Sequence, residues 1–195
     1  MSARRTAAVL VAGGLALAGC TSSNGAQTSG QSFVAGDHTI TLLAPDQRPE
    51  PGVLRGRTID GQTIDLASQK GHAVVLNVWG SWCGPCQKEA PALEKASREL
   101  KPKGVAFIGI NTRENGNKDA AAAFQRTYGI TYPSLFDADS NALLALRGAV
   151  SANAIPSTVV IDPQGRIAAR ISGATTTATL VDVVDDVLAG RTSTS

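Results

Sequence analysis

The chain has 195 residues, of which 43% are hydrophobic and 17% are charged, and its formal net charge at pH 7 is +2. This length and this apolar fraction are sufficient for one ordinary domain with a hydrophobic core. The net charge is small, and no cluster of Lys and Arg interleaved with aromatic residues occurs, so nucleic acid is not expected as a partner.

The first residues have the features of an export signal. Arg4 and Arg5 precede an apolar run that ends in Leu-Ala-Gly, directly before Cys20. A basic start, a short apolar stretch and small residues before a cleavage point are typical of a secretory signal peptide, and the stretch is short for a membrane span. Leu-Ala-Gly-Cys at this place resembles a bacterial lipobox, which implies cleavage before Cys20 and its acylation as a membrane lipid anchor. The alternative is an ordinary signal peptide that ends near an incidental cysteine.

The composition then divides the chain into four segments. Residues 1–19 are the predicted signal peptide, and residues 20–35 are mostly Ser, Thr, Asn, Gly and Gln. Such residues bury too little apolar surface to offset their ordering entropy, so a flexible tether is predicted there. Residues 36–51 contain several prolines and are predicted to form an extended arm, although residues 38–43 could instead form a short strand. Residues 52–191 are predicted to form the folded domain.

The predicted domain alternates strands and helices. It starts with a hairpin around Asp60-Gly61, and a nearly continuous apolar run at residues 73–78 then predicts a strand buried on both faces. A helix is expected at residues 87–100, and Pro91 is expected to kink it or, as the alternative, to start a new turn after a break. The later predicted elements are a strand at 105–110, a helix at 118–128, a strand at 133–136, a short helix at 141–147, a strand hairpin at 157–171 and a helix at 176–188. This order predicts an α/β sheet with covered faces.

Between the buried strand and the first helix lies Trp82-Cys83-Gly84-Pro85-Cys86. Cys83 is therefore expected at a helix N-terminus, where unpaired backbone N–H groups and the helix dipole favour a thiolate. The spacing brings Cys86 close enough to form a disulfide with Cys83, so the pair is a dithiol/disulfide switch. Half of a zinc site is one alternative, but the candidates for further ligands, Cys20, His38 and His72, form no second pair at metal spacing. A purely structural disulfide is another, although so short a loop constrains the unfolded chain little.

A family resemblance is carried by residues 77–91, which are NVWGSWCGPCQKEAP. They resemble the thioredoxin superfamily and, within it, the extracytoplasmic, membrane-anchored thiol–disulfide oxidoreductases of the TlpA/ResA-like family. The resemblance extends from about Glu50 to the C-terminus. It implies a thioredoxin-like fold with a central mixed sheet, helices on both faces, an N-terminal hairpin and a helix–strand insertion between Lys118 and Phe136.

The expected chemistry assigns a role to each residue of the motif. Cys83 is predicted to be the nucleophile, and Cys86 the resolving thiol that releases the reduced substrate. Glu89 follows on the same helical face and is predicted to act as a base for Cys86 or to modulate the potential of the pair. Asn77 stands where ordinary thioredoxins have a buried Asp, which moves the expected proton transfer to Glu89. The alternative for Glu89 is an exposed side chain that only aids solubility.

A substrate platform is predicted at Ile155-Pro156. In the superfamily a cis proline lies here beside the cysteines, which implies that the Ile155 backbone hydrogen-bonds an extended substrate. By base rate alone the bond would be trans, and the resemblance reverses that expectation. Trp82 is predicted to be an exposed substrate contact beside the nucleophile, whereas Trp79 could equally belong to the core.

The expected function is thiol–disulfide oxidoreductase activity outside the cytoplasm. The resemblance implies reduction of disulfides in exported proteins such as apocytochrome c, re-reduction by a membrane electron-donor protein, and attachment to the cell membrane through lipidated Cys20. No organic or metal cofactor is expected, because Cys83 and Cys86 carry the electrons. One alternative is a peroxiredoxin-like thiol peroxidase, although its nucleophile normally follows Thr-x-x rather than Ser81-Trp82. The other is a non-enzymatic dithiol module that binds a soft metal.

Overall fold

The computed structural model describes residues 30–35, 38–150 and 154–192. The predicted signal peptide, Cys20 and the first part of the predicted tether lie outside the described residues. Within these ranges, no helix is both long and apolar enough to cross a membrane.

The elements follow the predicted alternation of strands and helices. The strands are β1 Gly30–Ala35, β2 His38–Leu43, β3 Arg55–Arg57, β4 Thr63–Asp65, β5 Val74–Trp79, β6 Ala106–Thr112, β7 Ser134–Asp137, β8 Ser157–Ile161 and β9 Ile167–Ser172. The α-helices are α1 Gly84–Leu100, α2 Lys118–Tyr128, α3 Asn141–Ala145 and α4 Thr177–Leu188. The predicted hairpin is β3–β4, and the predicted insertion is α2 with β7.

The main sheet has seven strands in the order β1-β2-β9-β8-β5-β6-β7. Strands β5, β6 and β7 run parallel, whereas β8, β9, β2 and β1 are joined by antiparallel pairs. The sheet is therefore mixed, as predicted. The apolar run of β5 lies inside it, and all residues of that strand are buried.

Alternate residues of β5 belong to two hydrophobic clusters, which lie on opposite faces of the sheet. On one face, Val75 packs in a cluster with Leu93 of α1 and Val183 of α4. On the other face, Leu76 packs in a cluster that includes Leu143 of α3. Helices thus cover both faces, which confirms the predicted architecture.

The N-terminal boundary differs from the prediction. Strand β2 pairs with β9, and its Ile40 and Leu42 are almost completely buried against the α4 face of the core. Strand β1 pairs with β2 along its whole length. Residues 30–35 of the predicted tether thus form an edge strand, and residues 38–43 of the predicted arm form the short strand that the sequence left open as an alternative. Composition missed β1 because a strand edge is paired through backbone N–H and C=O groups, which polar residues also carry.

Helix α1 begins earlier than the predicted helix, directly after Cys83. Pro85 lies in its first turn, where a missing backbone N–H costs no helical hydrogen bond. Pro91 lies inside one unbroken helix, so it does not start a second helix after a break. The early start matters for the chemistry, because it makes Cys83 the N-cap residue of α1.

Candidate active site

Cys83 and Cys86 form a disulfide at the N-terminus of α1. The sulfur of Cys83 also accepts a hydrogen bond from the backbone N–H of Cys86 at 3.2 Å. The exposed fractions of the two residues are 4% for Cys83 and 1% for Cys86. Both are therefore largely covered in the oxidised form. In the reduced form, the first N–H groups of α1 would surround the Cys83 sulfur and favour its thiolate.

An aromatic layer packs beneath the disulfide. Trp79, at the end of β5, stacks on Phe124 of α2 with ring centroids 4.4 Å apart, and both belong to the cluster that contains the cysteines. Trp79 is thus a core residue. Trp82 is 52% exposed, and its ring lies over Gly80 so closely that a Cβ there would come within 2.6 Å of the indole nitrogen. A side chain at residue 80 would therefore displace Trp82.

Glu89 is buried on α1, one turn after Cys86, with 2% of its surface exposed. Its carboxylate accepts hydrogen bonds from Asn77 Nδ2 at 3.0 Å and from the backbone N–H of Thr175 at 3.1 Å. Burial raises the pKa of Glu89 to about 7, because these two hydrogen bonds, which lower the pKa, offset only part of the desolvation. An exposed Glu that only aids solubility is therefore excluded.

Asn77 links Glu89 to the neighbouring strand. Its position on β5 lies opposite Thr158 of β8, and its Nδ2 donates both to Glu89 Oε1 and, at 3.2 Å, to Thr158 Oγ1. A carboxylate at residue 77 would instead place a like charge beside Glu89 and raise its pKa further. The amide holds Glu89 in place without that repulsion.

The Ile155–Pro156 bond is cis, as the resemblance predicts. Pro156 is buried at the start of β8, and Ile155 packs against the cluster that contains both cysteines. The carbonyl of Pro156 accepts a hydrogen bond from the backbone N–H of Gly173 at 3.0 Å. The substrate-binding roles of Trp82, Ile155 and Pro156 stay predictions.

Sequence reasoning missed two residues of the site. Thr175 reaches Glu89 from the turn before α4, a contact that no local pattern indicates. Glu114 lies in the loop after β6 and binds Ser81, one residue before Trp82. A signal for Glu114 existed: β5 and β6 are parallel neighbours, so the loops at their carboxyl ends meet at the same edge of the sheet.

A metal site is not found among the residues that the structure describes. No group of three or more His, Cys, Asp or Glu side chains in these ranges could hold a metal ion. His72, one candidate zinc ligand of the sequence, is exposed and contacts the backbone carbonyl of Gly104. Another candidate, Cys20, lies outside the described residues.

The chain is similar in sequence to known proteins. Residues 39–188 match the family model described as Redoxin. The thiol–disulfide oxidoreductase ResA of Bacillus subtilis is 32% identical over 134 residues, which covers 69% of this chain and 72% of ResA. These matches confirm the predicted family resemblance.

Two solved structures support the fold. A DsbF homologue from Corynebacterium diphtheriae superposes with a TM-score of 0.71 and 33% identity, covering 79% of this chain and 96% of its own. A secreted thiol–disulfide isomerase from Corynebacterium glutamicum gives a TM-score of 0.70 and 31% identity, covering 79% and 95% of the two chains. The chain therefore belongs to the redoxin family, as a thioredoxin-fold thiol–disulfide oxidoreductase of the ResA type.

Proposed function

We propose that this protein acts outside the cytoplasm as a reductase of disulfides in exported proteins, the haem-site cysteines of apocytochrome c among them. Cys83 is the nucleophile, Cys86 is the resolving thiol and Glu89 is the base that serves Cys86. The observation that carries this proposal is the buried Glu89 carboxyl, with a pKa of about 7, one helical turn from buried Cys86. A general base works best when its pKa lies near the operating pH.

In the first step, the Cys83 thiolate of the reduced protein attacks one sulfur of the substrate disulfide. A mixed disulfide forms between Cys83 and the substrate, and the other substrate sulfur leaves as a thiolate. The position of Cys83 at the N-terminus of α1 supports this assignment, because the helix dipole stabilises a thiolate there.

In the second step, Cys86 resolves the mixed disulfide. Glu89 takes the proton of the Cys86 thiol, and the resulting thiolate attacks the Cys83 sulfur. The second substrate thiolate leaves and takes up a proton, and the Cys83–Cys86 disulfide remains, which is the form in this structure. Two electrons have then passed from the protein to the substrate, and a membrane electron-donor protein returns them.

The surroundings of the disulfide supply the contacts for a polypeptide substrate. Exposed Trp82 lies on one side of the motif, and Ile155 packs against the cysteine cluster from the start of β8. The backbone of Ile155 pairs with an extended substrate segment, in the manner of strand addition to a sheet edge.

The location of the protein is proposed from its first residues. Cleavage before Cys20 and acylation of Cys20 would hold the domain at the outer side of the cell membrane. The Corynebacterium glutamicum relative is described as secreted, which supports export. Intact-mass analysis of the mature protein tests the anchor: an acylated Cys20 is expected, and an unmodified Cys20 would contradict it.

Trapping of substrate tests the roles of the two thiols. Cys86→Ser leaves the Cys83 mixed disulfide unresolved, so it should accumulate substrate adducts, whereas Cys83→Ser should accumulate almost none. Both variants are reduced, incubated with oxidised substrate and analysed by mass spectrometry. Equal trapping by both variants would overturn the assignment of the nucleophile.

The substrate class and the direction of transfer need a separate comparison. The reduced protein is mixed with an oxidised Cys-x-x-Cys-His peptide, which has the haem-attachment pattern, and in parallel with oxidised glutathione. Faster reduction of the peptide supports the proposal, and a preference for glutathione contradicts the proposed substrate. Equilibration with glutathione gives the potential of the pair: a value near that of thioredoxin, about −270 mV, fits a reductase, and one near about −120 mV fits an oxidant.

A further inference from the structure

We propose that Glu114 is a positioning residue that braces the backbone leading into Cys83 and thereby sets the reactivity of that thiol. The inference rests on the role of Cys83 as the nucleophile. Glu114 lies between β6 and α2, and its side chain is buried, with 6% exposed. It belongs to neither the disulfide nor the Glu89 network.

The Glu114 carboxylate accepts three hydrogen bonds, two of them from the active-site turn. Its Oε1 accepts hydrogen bonds from the backbone N–H of Ser81 at 2.6 Å and from Asn111 Nδ2 at 2.8 Å. Its Oε2 accepts a hydrogen bond from the Ser81 hydroxyl at 2.7 Å. Charge-assisted hydrogen bonds of this length are among the stronger ones in proteins. Two of the three bonds hold Ser81, which lies two residues before Cys83.

The backbone on either side of Glu114 is strained. Arg113 and Asn115 have φ angles of 57° and 49°, in the left-handed region, which Asn tolerates and which is unfavourable for Arg. Such conformations persist where surrounding contacts hold them. The bonds from Glu114 to Ser81 and Asn111 are contacts of this kind, so the loop and the active-site turn hold each other.

Ser81 is held from a second side as well. Its carbonyl accepts a hydrogen bond from Gln87 Nε2 of α1 at 2.9 Å, and Cys83 donates its backbone N–H to the carbonyl of Gly80 at 3.1 Å. The path of the chain from β5 to Cys83 is therefore fixed between the Glu114 loop and the first turns of α1. Because the helix N–H groups act on the Cys83 sulfur over a short distance, a shift of this path changes how strongly they stabilise the thiolate.

The hydrogen bonds of Glu114 also shape the surface beside Cys83. Trp82, Arg113 and Asn115 line an open groove of about 500 Å³, together with Ser81 and Glu114. Release of Ser81 would move Trp82 relative to the loop on the other side of the groove. We therefore expect a change in the reaction with polypeptide substrates as well as in the thiol itself.

Three substitutions separate the effect of the Glu114 hydrogen bonds from the effect of its charge. In Glu114→Gln, the amide oxygen can still accept from Ser81 N–H and Asn111, and the amide nitrogen can donate to the Ser81 hydroxyl, which then acts as acceptor. The contacts remain and the charge is lost. Glu114→Ala loses both, and Ser81→Ala removes only the hydroxyl contact, as a milder variant if Glu114→Ala does not fold.

Glu94 offers a matched control. Its carboxylate accepts a backbone N–H and a hydroxyl from one residue, Thr131, just as Glu114 does from Ser81. At 1.5 Å per residue, it lies about 12 Å along the helix from Cys86 and about 17 Å from Cys83. Glu94→Ala therefore removes a similar set of bonds without touching the active-site turn.

The measurement is the alkylation rate of the reduced protein by iodoacetamide as a function of pH, with the modified cysteine identified by mass spectrometry. In Glu114→Ala, the rate at Cys83 should fall roughly tenfold at neutral pH, with the inflection at higher pH, because small displacements of reacting groups have effects of this size or larger. Glu114→Gln should stay within about twofold of wild type, and Ser81→Ala should fall between these variants. Glu94→Ala should match wild type.

Two results would overturn the proposed role of Glu114. One is an unchanged Cys83 profile in folded Glu114→Ala. The other is equal impairment of Glu114→Gln and Glu114→Ala, which would assign the effect to charge. Alkylation at Cys86 in wild type would instead overturn the proposed nucleophile, so the two failures are distinguishable.

Discussion

Two buried carboxylates on the same helix, Glu89 and Glu94, behave in opposite ways. Both side chains are almost fully covered, with 2% and 6% exposed. Burial raises the pKa of Glu89 to about 7. Burial also acts on Glu94, but hydrogen bonds from Thr131 and Arg98 outweigh it and lower the pKa.

The difference lies in the donors that each carboxylate meets. Glu89 accepts from one neutral amide and one backbone N–H. Glu94 accepts two bonds from Thr131 and a further bond from the Arg98 guanidinium at 2.7 Å, which also supplies an opposite charge. Burial alone therefore does not set the charge of a carboxyl group. Near Cys86, α1 therefore carries a carboxyl group with a pKa close to neutral pH, whereas Glu94 in the middle of the helix anchors the segment between α2 and β7.

The largest effect is expected for Glu89→Gln, which removes the proposed base and keeps the size and shape of the side chain. Turnover with a disulfide substrate should fall about a hundredfold, at the lower end of the range for loss of a general base. Wild-type turnover should rise with pH through about 7 as the Glu89 carboxylate forms, and the variant should lack this inflection. The pH dependence of the single-turnover reduction rate measures both.

Loss of the base should not affect the first step. The alkylation rate of Cys83 should therefore be similar in wild type and Glu89→Gln, which serves as the internal control. A variant that keeps the wild-type pH profile of turnover would show that Glu89 is not the base.

The pH dependence of stability should also distinguish the two carboxylates. The folded-state pKa of Glu89 is raised from 4.5 to about 7, so the folded protein holds this proton more tightly than the unfolded chain. Its contribution to the free energy of unfolding should therefore fall as pH rises from about 4.5 to about 7, by about 3 kcal/mol at roughly 1.4 kcal/mol per pKa unit.

The comparison is made by urea denaturation of the oxidised protein at several pH values. The difference in unfolding free energy between wild type and Glu89→Gln should change over this window and stay level outside it. A constant difference across the window would mean that Glu89 has an ordinary pKa.

Glu94→Ala should affect stability and leave catalysis intact. The variant loses the bonds to Thr131 and Arg98, and it should lower the unfolding free energy by about 2 kcal/mol, the usual size for a lost buried hydrogen-bonded group. Turnover of the folded variant should remain within about twofold of wild type. A larger loss of turnover would contradict the division of α1 into a catalytic and an anchoring part.

The sequence was sufficient to predict those features that depend on interactions between residues close together in the chain. The apolar run of β5, the Cys83–Cys86 spacing and the start of a helix next to it can all be inferred from neighbouring residues, and the structure contains each of them. The burial of Glu89 was one of two open alternatives, because i, i+3 spacing gives the helical face but not what covers that face.

The missed features depend on contacts between distant segments. Glu114 reaches Ser81 across a chain separation of 33 residues, and Thr175 reaches Glu89 across 86. The pairing of β1 and β2 with the sheet was missed for a related reason, since the edge they complete is formed by β9, far along the chain. Contacts at strand edges and between loops can be predicted only when the order of the strands in the sheet is known.

The smallest effect is expected for Asn77→Ala, which changes the surroundings of Glu89 and leaves Glu89 itself in place. The hydrogen bond from Asn77 is the larger of the two that lower the pKa of this carboxyl. Its loss leaves desolvation less opposed, so the pKa should rise, and the inflection of turnover should move above about pH 7 by less than about one unit. Thr158→Ala is the control: it removes the other acceptor of Asn77 Nδ2 and keeps the bond to Glu89, so its inflection should stay close to that of wild type. A downward shift in Asn77→Ala would mean that water replaces the amide as a better donor, and that the value near 7 depends on exclusion of water from this face of α1 rather than on the Asn77 bond.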